Sequence, residues 1–304
     1  MNKLFCFGVG FTGLQTCEYF NDQNWITSGT TRDTNKKVNP NIELIEYNPK
    51  KGRIYLSESL ANSKILLISI APDKNGDVVL KSNYEDIANA LKTSVKRVIY
   101  LSTTAVYGDA NGSTVDEKYK INPQSDRAKS RILAERQWTD LCDKFGVTLN
   151  ILRLSGIYGI GRNQIKNLIN GTAKRIIKEG HVFNRIHVAD IARVIYMLSV
   201  SNIKSDIFNI SDDMPAPPQD VVEFAARLLN TDPPEPVIFS EASLSEMARS
   251  FYSETKYIRN QKIKEKLGLE LKYPNYKLGL KDILKEELNR LSLIHISEPT
   301  RRAI

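Results

Sequence analysis

A chain of 304 residues with 41% hydrophobic and 26% charged residues has the balance of a folded globular protein, which excludes disorder as the starting point. That length suits one large domain or a domain with a smaller lobe. The net charge is +8, but the lysines and arginines are spread along the chain and form no basic tract. The surplus therefore reads as a solvated surface and not as a nucleic-acid interface.

Three cysteines, Cys6, Cys17 and Cys142, have no metal-binding spacing, and their odd number argues against a disulfide framework. Reduced thiols and a cytoplasmic location follow as the expectation. No run has the length of a membrane span, so no membrane partner is expected. Met1-Asn2-Lys3 and the apolar stretch after it resemble a signal peptide. Three glycines interrupt that stretch and no small-x-small cleavage site follows, so export is not expected.

In chain order, Lys3–Gly8 (KLFCFG) reads as a buried strand, and Phe11–Asn21 as a helix with Leu14 and Tyr19 inward. Strands at Trp25–Thr31 and Ile42–Tyr47 follow, the second less buried. A short helix at Ser57–Ser63 precedes Lys64–Ala71 (KILLISIA), a fully apolar strand. Asn83–Thr93 is an amphipathic helix with Ile87 and Leu91 inward, followed by a strand at Lys96–Ser102. A polar loop, Asp109–Pro123, leads to a long helix, Ser125–Phe145, and a strand, Val147–Leu154. This alternation predicts an α/β, Rossmann-type, doubly wound parallel sheet with right-handed crossovers. Beyond Ser155 helices are predicted at Gln164–Ile177, Val188–Ser199, Gln219–Leu229 and Ser243–Tyr252, with one returning strand at Asp206–Ile210. The expected division is residues 1–158 plus 186–212 for the Rossmann domain and 159–185 plus 213–290 for a smaller, mainly helical lobe. Leu291–Arg301 (LSLIHISEPTR) is the translation of a sequencing adapter, so 291–304 is set aside and the native C-terminus is expected to be missing.

Gly8-Val9-Gly10-Phe11-Thr12-Gly13 matches G-x-G-x-x-G between a strand and a helix, inside the first βαβ unit. Gly8 suits the tight turn, Gly10 lets a pyrophosphate approach the backbone, and Gly13 allows helix to pack on strand. Phe11 and Thr12 open the helix whose free N–H groups would hold the phosphates. An Asp or Glu about twenty residues further on would hold a ribose 2′-hydroxyl. Here the position is Arg32 or Asp33, and the Arg32 guanidinium suits a 2′-phosphate, which favours NADP over NAD.

Further blocks follow in order: Leu101–Asp109 (LSTTAVYGD), Leu152–Gly159 (LRLSGIYG), Arg185–Ala192 (RIHVADIA) and Phe208–Ser211 (FNIS). With the glycine motif they cover about Lys3–Asp212, and together they resemble the NAD-dependent epimerase/dehydratase branch of the extended short-chain dehydrogenase/reductases. The resemblance implies Thr103 as the group that hydrogen-bonds the substrate oxygen, and Ala71, Ser102 and Ser155 as further cofactor contacts. It also implies a Tyr-x-x-x-Lys pair on the long helix. In the matching stretch Pro123–Glu135 those two positions hold Arg127 and Arg131.

A guanidinium with a pKa above about 12 cannot act as general acid or base at neutral pH. Arg127 could stabilise an oxyanion or clamp a carboxylate or phosphate, and Arg131 could reach the cofactor ribose. Tyr107, Tyr119 or Tyr158 remain as proton donors, with Tyr107 better read as a packed turn residue. The family's analogue of Arg185–Asp190 joins lobe and sheet, and His187 and Asp190 are expected to fix that junction. Phe183 stands where the family's diphosphate-binding Arg would be. No metal site is expected, since only His181 and His187 lie outside the tail. Two readings stay open: an oxidoreductase or epimerase acting on a small hydroxyl or carbonyl compound with altered catalytic groups, or a catalytically silent NADP(H)-binding sensor or partner protein. The family's habit implies a homodimer through the helices at 83–93 and 125–145.

Overall fold

Alternation along the first strand decides the layering. β1 (Lys3–Phe7) turns Leu4 and Cys6 to one face and Phe5 and Phe7 to the other, and all four are fully buried. A strand that is apolar on both faces must be covered on both, as in parallel sheets flanked by helices. The computed structural model describes residues 2–51 and 54–297.

After β1 come α1 (Phe11–Asp22), β2 (Ile26–Thr31), β3 (Ile42–Glu46), α2 (Ser57–Leu60), β4 (Ile65–Ile68), α3 (Val78–Thr93) and β5 (Arg97–Thr103). The middle of the chain forms β6 (Thr114–Val115), α4 (Asp126–Phe145), β7 (Thr148–Leu154), β8 (Gly156–Tyr158), α5 (Gln164–Ile169), β9 (Arg175–Ile177) and β10 (Arg185–His187). The remainder is α6 (Val188–Val200), β11 (Asp206–Ile210), α7 (Pro218–Leu229), β12 (Pro236–Ile238), α8 (Glu246–Tyr252), β13 (Tyr257–Ile258), α9 (Gln261–Leu267) and α10 (Tyr276–Ser297).

Seven strands form the central sheet in the order β11-β7-β5-β4-β1-β2-β3, every pair parallel. This is the doubly wound Rossmann arrangement expected from the sequence. α1 and α6 cover one face through Cys17, Phe20, Ile191, Ile195 and Leu198, and α3 and α4 cover the other through Ile87, Leu91, Trp138 and Leu141. All seven strands point their C-terminal ends to one edge. The winding reverses between β1 and β4, where such sheets open a ligand crevice. Beyond the sheet, α5, α7 and α10 share a separate core of Ile165, Val221, Ala225, Tyr276 and Leu280. The short pair β13–β6 returns residues 257–258 to the loop that follows β5.

Four local expectations need correction. The stretch Gln164–Ile177 is not one helix: α5 stops at Ile169, the Thr172 N–H bonds the Asn167 carbonyl across an Asn-Gly break, and Arg175–Ile177 becomes β9, paired with β12. Helix α1 buries Thr12, Gly13, Thr16, Cys17 and Phe20, and half-buried Leu14 packs against that core as expected, but Tyr19 is half-buried outside it. Small side chains on the inward stripe let the helix lie close to the sheet, and Tyr19 packs edge-on against Tyr196 of α6. Helix α3 starts five residues early, at Val78, capped by the Asp77 carboxylate. It kinks at Asn83, whose amide donates to the Ile54 carbonyl, so the periodicity is regular only after the kink. Helix α8 begins at Glu246 and not at Ser243, because the Ser245 hydroxyl caps it through the Ala248 N–H. The stretch 291–304 overlaps the last turns of α10, and from residue 298 it lies outside the described residues.

Candidate functional site

The glycine loop lies between β1 and α1 at the C-terminal edge of the sheet. Gly8 turns at φ +100°, and its N–H is held by the Thr30 hydroxyl at 3.0 Å, while the Val9 N–H donates to the Thr30 carbonyl at 2.7 Å. The loop is thus stitched to the end of β2. A Cβ at Gly13 would sit 2.3 Å from the Gly8 carbonyl oxygen and 2.9 Å from the Cys6 Sγ, so α1 can start only where it does because residue 13 has no side chain. Gly13→Ala is therefore expected to cost about 1–3 kcal/mol, read as a lower denaturant midpoint at unchanged slope. The side of Gly10 that a Cβ would occupy faces open space, next to Phe11 and Thr12 at the helix N-terminus.

These features fit a dinucleotide: a backbone cradle with room for a pyrophosphate, above the positive end of a 12-residue helix. Arg32 follows β2 directly and is exposed. Ala71 follows β4, and Ser155 follows β7. The Ser155 N–H bonds the Ile210 carbonyl at 3.0 Å, but its buried hydroxyl has no hydrogen-bond partner within the chain. A buried orphan hydroxyl at this edge is the kind of group a bound ligand satisfies.

Thr103 ends β5, and its Oγ1 accepts the Ala105 N–H at 3.2 Å, capping a short 3₁₀ turn over Thr104–Tyr107. The hydroxyl proton is left for another acceptor. Arg127 lies exposed in the first turn of α4. Arg131, one turn further on, is half-buried and donates to the Leu101 carbonyl at 2.6 Å and the Tyr100 hydroxyl at 3.3 Å. It braces the end of β5.

A buried network, which the motif comparison passed over, lies between β5, α4 and β7. Arg153 grips Glu135 with a two-pronged fork, Nη2 to Oε2 at 2.7 Å and Nε to Oε1 at 3.2 Å. Ser102 donates its hydroxyl to the same carboxylate, so that side chain is already engaged. Arg153 also donates to the Tyr107 hydroxyl at 3.1 Å, and Tyr107 donates to Asn209 Oδ1 at 2.7 Å. Burial pushes the Tyr107 phenol above its ordinary pKa, opposed by the neighbouring Arg153. With its hydroxyl occupied on both sides, Tyr107 is a packed turn residue. Tyr158 is buried as well, and burial with nearby Asp212 and Asp190 pushes its phenol upward. Tyr119 packs edge-on against Tyr107.

In the first turn of α6, fully buried Asp190 accepts the N–H groups of Lys272 and Tyr273 at 2.7 and 2.9 Å and pairs with Arg193 at 3.0 Å. His187 accepts the Ala189 N–H and packs its ring between Tyr158 and Tyr273. Arg185 donates to the carbonyls of Phe183 and Ala216. Two further charged residues at this edge lie outside the motifs. Asp212, two residues past β11, is 1% exposed, and its Oδ2 has no partner within the chain. Lys36, in the loop after β2, donates its ammonium to the Val9 carbonyl inside the glycine loop. A lone lysine or aspartate in a polar loop gives no sequence signal. Only the return of each loop to the sheet edge does.

Residues 77–211 match the model of the NAD dependent epimerase/dehydratase family. The chain is 28% identical over 288 residues to Protein YeeZ of Escherichia coli (strain K12), covering 90% of this chain and 97% of that one. A solved structure of a functionally unknown conserved protein from Silicibacter pomeroyi DSS is 39% identical, with a TM-score of 0.82 over 94% of this chain and 99% of the other. UDP-glucuronic acid 4-epimerase from Bacillus cereus, solved with UDP-glucuronic acid and NAD, shares the fold at 17% identity, with a TM-score of 0.73 over 94% and 99% of the two chains. The chain belongs to the NAD-dependent epimerase/dehydratase family.

Proposed function

We propose that the chain binds NADP in preference to NAD and acts as an epimerase- or reductase-type enzyme on a small hydroxyl or carbonyl compound, with a sugar among the candidates. The observation that carries this reading is the open cradle of Gly8, Gly10 and Gly13 against α1, with exposed Arg32 at the end of the neighbouring strand. When bound, a nicotinamide dinucleotide supplies a hydride donor or acceptor. In this reading the N–H groups at Phe11 and Thr12 hold the pyrophosphate and Arg32 forks the 2′-phosphate. Ala71, Ser102 and Ser155 frame the cofactor along the strand ends, Ser102 through its backbone and Ser155 through its free hydroxyl.

Thr103 offers its hydroxyl proton to the substrate oxygen, and Arg127 steadies negative charge there or clamps an anionic group of the substrate. Arg131 acts as a positioning residue, holding the β5 end that carries Thr103. Tyr107 is locked and the Tyr158 phenol is raised by burial, so the proton is assigned to Tyr119 or to water beside Thr103.

The reading takes 159–185 and 213–290 as the substrate lobe. It includes a cytoplasmic location, supported by three free, buried thiols. It also includes a homodimer across α3 and α4, whose outer faces expose Tyr84 and Leu133 among charged residues. Among the described residues no helix is long and apolar enough to cross a membrane. No nucleic-acid partner is proposed.

Calorimetric titration with NADPH and NADH tests the reading. NADPH should bind at least about tenfold more tightly than NADH, and Arg32→Ala should remove most of that difference. Binding of neither nucleotide would overturn it. Binding without turnover across a substrate screen would favour a silent sensor.

A further inference from the structure

Three segments meet beyond the C-terminal ends of β7 and β11. The Ser155 N–H bonds the Ile210 carbonyl at 3.0 Å, the Gly156 N–H bonds the Asn184 carbonyl at 3.0 Å, and the Asp212 N–H bonds the Arg185 carbonyl at 2.6 Å. A two-way bridge between Phe183 and Ala216 holds residues 183–185 against 212–216. Leu154 and Ile210 are in register and share the core under α1 and α6, and Thr103 is in register with Leu154. By the alternation of side chains Asp212 continues the row of Ile210, on the same side of the sheet as Thr103.

Arg185 and Asp212 lie side by side without an ion pair. The Arg185 Nη1 donates to the carbonyls of Phe183 and Ala216 at 2.9 and 3.1 Å, while among the described residues its Nε and Nη2 have no acceptor. Asp212 accepts the Met214 N–H at 3.2 Å, but its buried Oδ2 has no partner within the chain. Each group still senses the other. Burial raises the carboxyl, opposed by the Met214 N–H and Arg185, and burial lowers the guanidinium, opposed by Asp212. Two such groups held apart each lack the partner that would offset the cost of desolvation. A hydroxyl serves both: it accepts from the guanidinium, and it can donate to Oδ2 or accept from it, whichever way the carboxyl is protonated. An anion would be repelled as soon as the carboxyl ionised.

We propose that Arg185 and Asp212 together bind a second hydroxyl group of the substrate, remote from the oxygen that reacts at Thr103, and so select hydroxylated compounds over their deoxygenated counterparts. The inference rests on the enzyme reading above. With neighbouring strands about 4.8 Å apart and a rise of about 3.3 Å per residue, the Cα atoms of Thr103 and Asp212 lie about 12 Å apart. The side chains close about half of that distance, which leaves room for a substrate of about four to six carbons. Neither Arg185 nor Asp212 reaches the reacting atoms, so both act on the choice of substrate and not on the chemical step.

The test uses the full chain saturated with NADPH and two matched pairs of probes: L-erythrulose against methyl ethyl ketone, and acetopropyl alcohol against methyl propyl ketone. Binding is read by ligand-observed NMR and turnover by NADPH oxidation, with thermal melting of each variant as a check on folding. The unaltered chain should favour the hydroxylated member of each pair by at least about tenfold. Asp212→Leu should weaken the hydroxylated probes about tenfold and change the others by less than about twofold, and Arg185→Gln should do the same. Asp212→Asn keeps an acceptor and should recover most of the preference. Equal weakening of both members of a pair would overturn the inference and make Arg185 and Asp212 a support for the lobe. No preference in the unaltered chain, or no binding of any probe, would overturn it as well. Failure of the enzyme reading is separate, because it appears as an intact binding preference with no NADPH oxidation.

Discussion

Glu135→Leu should lower the stability of the fold by about 3–5 kcal/mol, because it leaves the Arg153 guanidinium buried without its counter-charge. The two side chains are 6% and 1% exposed, so water cannot replace the lost carboxylate. The variant also strands the hydroxyl of Ser102, which donates to the same group. Chemical denaturation should show a much lower midpoint, with a slope close to that of the parent chain. Replacing both partners, Glu135→Leu with Arg153→Met, should recover most of the loss, because no buried charge then remains unpaired. A loss under about 1 kcal/mol in the single variant would mean that the pair is hydrated in solution. Thr103 follows Ser102 directly, so the single variant should also loosen the proposed substrate contact.

That network shows where the sequence stops being readable. The glycine loop was legible because its logic is local: an apolar run, then G-x-G-x-x-G, then a helix, all within eleven residues (3–13). The parallel sheet followed from the alternation of strands and helices, and the lower burial of β3 followed from its alternation, since it lies at the sheet edge. Glu135 and Arg153 stood in the motifs, but nothing in their spacing tells that α4 crosses β5 and β7 so as to join them. The same holds for Lys36, which reaches the glycine loop only because a chain of turns after Thr31 brings it to Val9. The helix expected over Gln164–Ile177 failed for a different reason. The β-branched Ile176 and Ile177 suit helix or strand, and the pairing with Pro236–Ile238, some sixty residues away, decides. Arg127 and Arg131, one helical turn apart, show the limit of motif transfer: one is exposed, and the other is spent on the Leu101 carbonyl.

Titration of the buried Asp212 should make the fold lose stability as the pH rises above about 6.5. Burial pushes the Asp212 carboxyl up to about 8, against the Met214 N–H and Arg185, which favour its charged form. The unfolded chain releases that proton near pH 4, so between about pH 4 and 8 the folded state holds one proton more. Stability from this group is full at the acid end and is lost as the pH rises, by up to about 1.4 kcal/mol per pH unit. The imidazoles of His187 and His181 run the other way. Burial lowers both to about 4, with Lys272 adding to the effect at His187 and Lys178 at His181. The unfolded histidines take up protons below about pH 6.5 while the folded ones stay neutral, so their contribution is lost as the pH falls from 6.5 towards 4. On the acid side the two histidines oppose Asp212 together with Asp77, whose carboxyl burial also raises; above pH 6.5 the histidines no longer titrate and the decline is left to the carboxyls. Urea unfolding should therefore show about 2 kcal/mol less stability at pH 8 than at pH 6.5. Asp212→Asn keeps an acceptor for the Met214 N–H and cannot ionise, so it should remove most of that decline and steepen the rise on the acid side, where Asp212 no longer opposes the histidines. A decline that survives in Asp212→Asn would place the titrating group elsewhere and leave Asp212 hydrated and charged in the folded chain.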